Sequence, residues 1–237
     1  SLIQLVDESR IEDQKNTVGC TVPDIHKRLK KGETVLFDDG TIETVVEKIQ
    51  KEVVFLRVKR ISAKKKQIKA EKGINFPNSK LNMPSLTDYD IKCLPFIRRH
   101  AELVGYSFIN SPADLIHLQK LLSTDHKLAI ILKIETAEAV HNLPALLLTG
   151  LKHQKLGVMI ARGDLAVEIG FERMSEIQEE ILWLCEAAHV PVIWATQVLD
   201  NLNKLGMATR SEITDAAQAV QAECVMINKG SHIIKTI

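Results

Sequence analysis

The stretch MIARGDLAVEIG, residues 159–170, sets Arg162, Gly163 and Asp164 directly behind the apolar run Leu156–Ala161. A run this apolar predicts a strand buried on both faces. Gly-Asp is a good turn dipeptide, so a plain turn at the end of that strand is one reading. The other is a site at the carboxyl edge of a parallel sheet, where open α/β folds and (β/α) barrels gather their chemistry. The choice depends on whether the pattern recurs.

It does recur. Apolar runs stand at LVGYSFI (103–109), LAIILKIE (128–135), LGVMIARGD (156–164), VPVIWATQ (190–197) and AECVMINKG (222–230), with helical sequence between them. Ser111, Pro112 and Asp114 form a helix start, with cap, first-turn proline and an acid at the positive end of the dipole. Thr209 and Glu212 have capping-box spacing ahead of ITDAAQAV. Met174, Ile177, Ile181, Leu184, Cys185 and Ala188 share one face at helical spacing and read as core. Neither GxGxxG nor GxxxxGK[ST] occurs, so five strand–helix units favour a barrel over a dinucleotide fold. A TIM barrel has eight strands. Five leave two open edges, to be closed by a longer polypeptide, complementing chain segments or a homo-oligomer.

Residues 1–72 have another texture. Short β-branched runs such as ETVLFDDGTIETVVEKI and EVVFLRVKRI are cut by turns, and Asp39-Gly40 between alternating runs is a two-residue hairpin signal. Only VPDIHKRLKKG supports a short helix. RISAKKKQIKAEKG, residues 60–73, reads as a solvated lysine-rich segment more than as a phosphate patch. The expected architecture is therefore α/β: a small, mostly antiparallel β domain over 1–72 and a partial TIM (β/α) barrel over 73–237. The hinge-like EKGINFPN between them makes the first domain a candidate lid.

Bulk properties exclude several classes. The net charge of the 237 residues is +1, so nothing recruits the whole chain to nucleic acid or an anionic membrane. No run is long and apolar enough for a membrane span, and the amino terminus SLIQLVDESR does not read as a signal peptide. Cys20, Cys93, Cys185 and Cys224 are widely spaced without CxxC, and three lie in apolar contexts such as ILWLCEAA and AECVMI. Reduced thiols acting as small core residues, in a cytoplasmic protein, are the expectation.

In a barrel the strand ends share one face. They carry Ser107 and Asn110, Lys133 and Glu135, Arg162 to Asp164, Thr196 and Gln197, and Asn228 and Lys229. Glu135 and Asp164 come from adjacent strands, which lets their carboxylates converge. Two hard oxygen ligands without His or Cys suit Mg²⁺ or Mn²⁺; alternatively each carboxylate caps the helix after it. Lys133 and Glu135 face the same side of one strand. A lysine inside an apolar strand is costly unless it meets an anion or a carboxylate. Thr196 reads by itself as a helix N-cap, with substrate binding or proton relay as the functional alternative.

LKIETAEAV, GVMIARGDLAVEIG, PVIWATQVLDNL and ATRSEITDAAQAV resemble consecutive barrel segments of the pyruvate kinase family, in its order and spacing. ETVLFDDGTI and KGINFPNSKLNMPSLTDYD resemble that family's lid and its return into the barrel. The resemblance implies phosphoryl transfer from phosphoenolpyruvate to ADP, giving pyruvate and ATP in glycolysis. It implies Lys133 as the lysine that stabilises the phosphoryl group and the enolate, and Glu135 and Asp164 as ligands of Mg²⁺ or Mn²⁺. Ala161, Arg162 and Gly163 match the loop whose backbone holds the substrate carboxylate. Thr196 matches the hydroxyl beside the carbon that is protonated. Asp38 and Lys72, on a looser pattern, match lid positions facing the site and the nucleotide phosphates.

The match has departures. Three barrel strands precede the lid in the family, carrying an arginine and the ligands of K⁺; no segment here corresponds to them, so a partial chain with little activity by itself is expected. Asn110 stands where the family usually has arginine, and INKGS replaces the usual Ser-Gly-Glu-Thr. Two other functions stay open at this point: a non-catalytic pyruvate kinase-like binding domain, and another Mg²⁺-dependent barrel enzyme acting on phosphoenolpyruvate or a 2-oxo acid.

Overall fold

The computed structural model describes residues 1–11, 16–63, 67–81, 83–122, 128–152 and 155–237, so Lys64, Lys65 and Lys66 of the lysine-rich segment lie outside the described residues. The chain divides into two compact units, Ser1–Met83 and Pro84–Ile237.

The first unit is one sheet of β1 (Leu2–Asp7), β2 (Thr17–Cys20), β3 (Thr34–Phe37), β4 (Ile42–Gln50), β5 (Val53–Ile61) and β6 (Ile74–Asn75), in the order β2-β1-β5-β4-β3-β6. All its pairs are antiparallel except β1 with β2. Period-two alternation works as the sequence suggests: Ile42, Thr44 and Val46 of β4 and Val54 and Leu56 of β5 are buried. They pack with Leu5, Val35 and Phe37, and with Ile25 from the single turn α1 (Ile25–Arg28). Buried Thr44 is satisfied because its hydroxyl donates to the Val35 carbonyl at 2.7 Å.

Two details differ from expectation. Phe37 pairs with Ile42, so the β3–β4 connection has four residues rather than two. Asp38, Asp39 and Gly40 all take positive φ, at 52°, 54° and 74°. Aspartate tolerates that conformation better than most residues, which explains the composition of the turn. The unit also ends after Met83 rather than after residue 72. Ile74 pairs with Phe37 and Asn75 with Leu36, and Phe76 is buried in the same core.

The second unit holds β7 (Leu103–Tyr106), β8 (Ala129–Ile134), β9 (Leu156–Ala161), β10 (Val192–Ala195) and β11 (Cys224–Val225). They form a parallel sheet in strict chain order, β7 to β11. A sheet that never reverses direction is wound one way, as a barrel requires, whereas a doubly wound sheet has a switch point. The chain is thus α/β, a partial (β/α) barrel with a small, mostly antiparallel β unit.

Helix α2 (Asp88–His100) precedes β7, and α3 (Pro112–Leu122) joins β7 to β8. Helices α4 (Ala137–His141) and α5 (Leu143–Gly150) lead to β9, α6 (Arg162–Ile169) and α7 (Met174–Ala187) to β10, and α8 (Asp200–Leu205) and α9 (Arg210–Ala219) to β11. A last turn, α10, spans Ile233–Thr236. Helix starts obey the local signals. Ser111 and Asp114 bond reciprocally, backbone to side chain, at 2.9 and 3.3 Å. Thr209 and Glu212 do the same. A third box, Thr87 with Asp90, starts α2.

One face of this sheet is sealed. Ile130, Leu132, Ile134, Val158, Ile160 and Trp194 are fully buried in one core with Ile181 and Cys185 of α7. Each such side chain contributes about 1.5–3 kcal/mol. On the opposite face Ile131, Lys133, Met159 and Ile193 are only partly covered within this unit. Burial on both faces, expected from the continuous apolar runs, therefore does not hold for these strands. The helices of a singly wound sheet all lie on one side.

All four cysteines are free; Cys20 and Cys185 are buried, whereas Cys224 is exposed, against its apolar context. Burial pushes the Cys185 thiol up to about 12, which makes it inert core. Among the described residues no helix is long and apolar enough to cross a membrane.

Candidate active site

The carboxyl ends of β7 and β8 build one half of the site. Lys133 points to the less covered face, and its ammonium donates to Glu135 Oε1 at 2.6 Å and to Ser107 Oγ at 2.8 Å. This meets the requirement that a lysine in an apolar strand find a carboxylate. Glu135 is only 2% exposed, and its Oε2 accepts the Phe108 backbone N–H at 2.6 Å. Phe108 takes a left-handed φ of 52°, which turns the post-β7 loop toward the carboxylate. Glu135 does not cap the next helix; Thr136 does, accepting from Ala139 N–H at 3.1 Å. Gly105 lies against the lysine stem, where an added methyl would stand 3.6 Å from Lys133 Cδ.

The ends of β9 and β10 build the other half. Strand register sets Ala161 beside Ala195, and α6 begins at once with Arg162. The Gly163 N–H donates to Thr196 Oγ1 at 2.8 Å. Thr196 therefore does cap a helix, but α6 from the neighbouring strand and not its own α8, whose N-cap is Leu199. Among the described residues the hydroxyl has no acceptor for its own proton. The Arg162 side chain turns into the protein. It donates to the carbonyls of Ala195 at 3.0 Å and Thr196 at 2.6 Å, pairs with Asp215 of α9, and lies 4.6 Å from the centre of the Trp194 ring.

Asp164 sits in the first turn of α6 and forms no hydrogen bond or ion pair among the described residues. Strand pairing places Glu135 one residue beyond the Ile134–Ile160 match, so the two carboxylates belong to adjacent strand ends. The donor set is oxygen only, without histidine or thiol, which fits Mg²⁺ or Mn²⁺. Asn110 is spent on structure: its side chain accepts from Thr136, and its carbonyl accepts from Asn142 Nδ2 at 2.8 Å. In the first unit Lys72 and Asp38 form an ion pair at 3.2 Å.

Three features escape sequence reading. Glu168, one helical turn after Asp164, is pushed up to about 7 by burial and then by the Asp164 charge. Its i,i+4 spacing from an aspartate was the available signal. Asp215 reaches the site from α9 with no local cue. In the first unit Asp7, Asp24 and His26 bring ligand atoms within 4.8 Å of one another. There Asp7 accepts the N–H groups of Asp24 and Ile25 at 3.1 and 3.2 Å, and Asp24 pairs with Lys27 at 3.0 Å, so these carboxylates already hold α1.

Comparison with known proteins shows the family. Residues 2–232 match the family described as pyruvate kinase, barrel domain. A pyruvate kinase of Clostridium acetobutylicum is 35% identical over 200 residues, covering 83% of this chain and 40% of its own length. One of Lachancea kluyveri is 33% identical over 221 residues, covering 90% of this chain and 42% of its own. One of Bacillus licheniformis is 35% identical over 193 residues, with shares of 80% and 32%. The chain thus spans about two fifths, or less, of the length of these relatives. Every strand end that builds the two half-sites lies inside the matched region, and the chain belongs to the pyruvate kinase family.

Proposed function

We propose that this chain carries the phosphoenolpyruvate-binding part of a pyruvate kinase reaction, in which a phosphoryl group moves to ADP and the enolate left behind is protonated to pyruvate. The observation that supports it most is the pairing of two half-sites on four consecutive strands. One offers a cation, Lys133, held against a buried carboxylate. The other offers the Thr196 hydroxyl, which accepts from the Gly163 N–H at the start of α6 and keeps its own proton to donate.

The work divides among these residues by their chemistry. Lys133 neutralises charge on the transferring phosphoryl group and on the enolate oxygen. The start of α6, with Ala161, Arg162 and Gly163 supplying backbone, receives the substrate carboxylate. Thr196 accepts from Gly163, which leaves its O–H available to donate toward that carboxylate or toward the carbon being protonated. Glu135 and Asp164 would hold Mg²⁺ or Mn²⁺, which when bound supplies further charge neutralisation. Asp38 and Lys72, in the β-rich unit, are assigned to the nucleotide phosphates, with Lys72 exchanging Asp38 for phosphate. The monovalent cation of the family is assigned to none of the residues described here. Glycolysis and a cytoplasmic setting belong to the same reading.

The test is pyruvate release from phosphoenolpyruvate, ADP and Mg²⁺ with Lys133→Arg. Arginine still pairs with Glu135 but moves the positive charge, so release should fall at least about 10²-fold while Mn²⁺ affinity stays. Undiminished release in that variant overturns the assignment of Lys133.

A further inference from the structure

We propose that Arg162 and Asp215 are a positioning pair that sets the angle at which the Thr196 hydroxyl meets the start of α6; this rests on the carboxylate-binding role proposed for Gly163 and Thr196. The starting point is backbone conformation. Immediately beyond β10, Thr196 and Gln197 both adopt left-handed φ values, 67° and 54°. Neither is glycine, and threonine is β-branched, so the conformation persists only if its surroundings over-determine it.

The surroundings that do so belong to Arg162. Its guanidinium straddles the turn: Nε donates to the Ala195 carbonyl and Nη2 to the Thr196 carbonyl, at 3.0 and 2.6 Å. Nη1 takes Asp215, and the guanidinium carbon lies over the ring of fully buried Trp194. Each of the three nitrogens thus has a protein acceptor, and the side chain is 11% exposed. A side chain engaged in this way is not a substrate ligand. It is a fork that fixes two successive carbonyls, and a lysine at the same place has one point charge with which to do it.

The consequence lies on the other side of the turn. With its carbonyl held, Thr196 presents Oγ1 to the Gly163 N–H at 2.8 Å. That contact uses a lone pair of the hydroxyl and leaves its proton free to be donated beside the N-terminus of α6. The Thr196 O–H, its oxygen fixed by the Gly163 N–H, is then the donor presented to a carboxylate at the start of α6. Asp215 acts on it only through Arg162, by holding the guanidinium in the plane that reaches both carbonyls.

The experiment uses the full chain and three variants, Arg162→Lys, Asp215→Asn and Asp215→Glu. Amide hydrogen exchange is measured at Gly163 and, as a control for general loosening, at Ile134 and Ile160; pyruvate binding is measured with Mn²⁺ present. In Arg162→Lys and Asp215→Asn, Gly163 should exchange at least about tenfold faster with Ile134 and Ile160 unchanged. Pyruvate should bind about tenfold more weakly, as for one lost hydrogen bond, and Asp215→Glu should restore part of both. Unaltered Gly163 exchange, or an equal rise at all three amides, overturns the positioning role. If wild-type chain fails to bind pyruvate with Mn²⁺, the proposed pyruvate kinase function is wrong, and the Gly163 comparison still decides the positioning pair.

Discussion

Alternate residues of β8 live in different surroundings. Ile130, Leu132 and Ile134 are fully buried against helices, whereas Ile131 and Lys133 on the other face are partly open. Glu135 continues the second set yet is 2% exposed, so one carboxylate is buried at the end of the less covered face. The contrast shows how a single strand serves two purposes. Its sealed face supplies the hydrophobic stabilisation that lets the other carry polar groups. Asp164, one strand over, carries none of that structural duty.

The comparison breaks most readily at Lys133. Lys133→Met removes the cation beside a buried carboxylate and should cost roughly 3 kcal/mol or more in unfolding experiments near pH 8. A cost under about 0.5 kcal/mol would mean that the pair is solvated like a surface bridge.

On the sealed face, Leu132→Ala should cost about 2–5 kcal/mol, with no recovery at low pH, because only packing is lost. A pH-dependent cost there would show that the two faces are not independent.

Glu168 gives a smaller effect with a defined sign. Its carboxyl lies at about 7 in the folded chain against an ordinary 4.5. The folded state therefore binds the proton more tightly. Stability should fall as pH rises from about 4.5 through 7 and level off above that. Glu168→Gln should flatten this stretch and gain on the order of 1–3 kcal/mol at pH 8. Urea titrations at pH 5 and pH 8 measure it, and an unchanged slope would remove the burial argument.

The smallest stability effect belongs to Asp164. Asp164→Asn should shift unfolding by no more than about 0.5 kcal/mol, yet abolish Mn²⁺ binding read by water-proton relaxation. Glu135→Gln should lose Mn²⁺ and also measurable stability. Retained Mn²⁺ affinity in either variant would separate these two carboxylates from the metal.

How much of this was readable depended on distance along the chain. The strand Leu156–Ala161 has the limits its apolar run suggested, and the Thr209–Glu212 box caps α9 as its spacing implied. Both signals are local: a strand is a run, and a cap is a side chain meeting a backbone three residues away. The end of the first unit was misplaced because β6 is two residues long and is defined only by pairing with β3. AECVMINKG promised a full strand, but β11 is Cys224–Val225, with Cys224 exposed. Apolar composition does not say whether a neighbouring strand is there to cover it.

The same division runs through the site. The sequence alone determined which residue types stand at the strand ends, because strand alternation and helix-start chemistry fix them within a few positions. It required an anion or a carboxylate for Lys133 on electrostatic grounds, and placed Glu135 two residues away on the same face. Only the tertiary structure decided where those groups point. That Thr196 caps the neighbouring helix, that Arg162 turns inward, and that Asp215 anchors it from 53 positions further along the chain are contacts across separate strand–helix units. No local pattern encodes them, because a guanidinium or a hydroxyl takes its direction from the acceptors and donors that packing brings within reach.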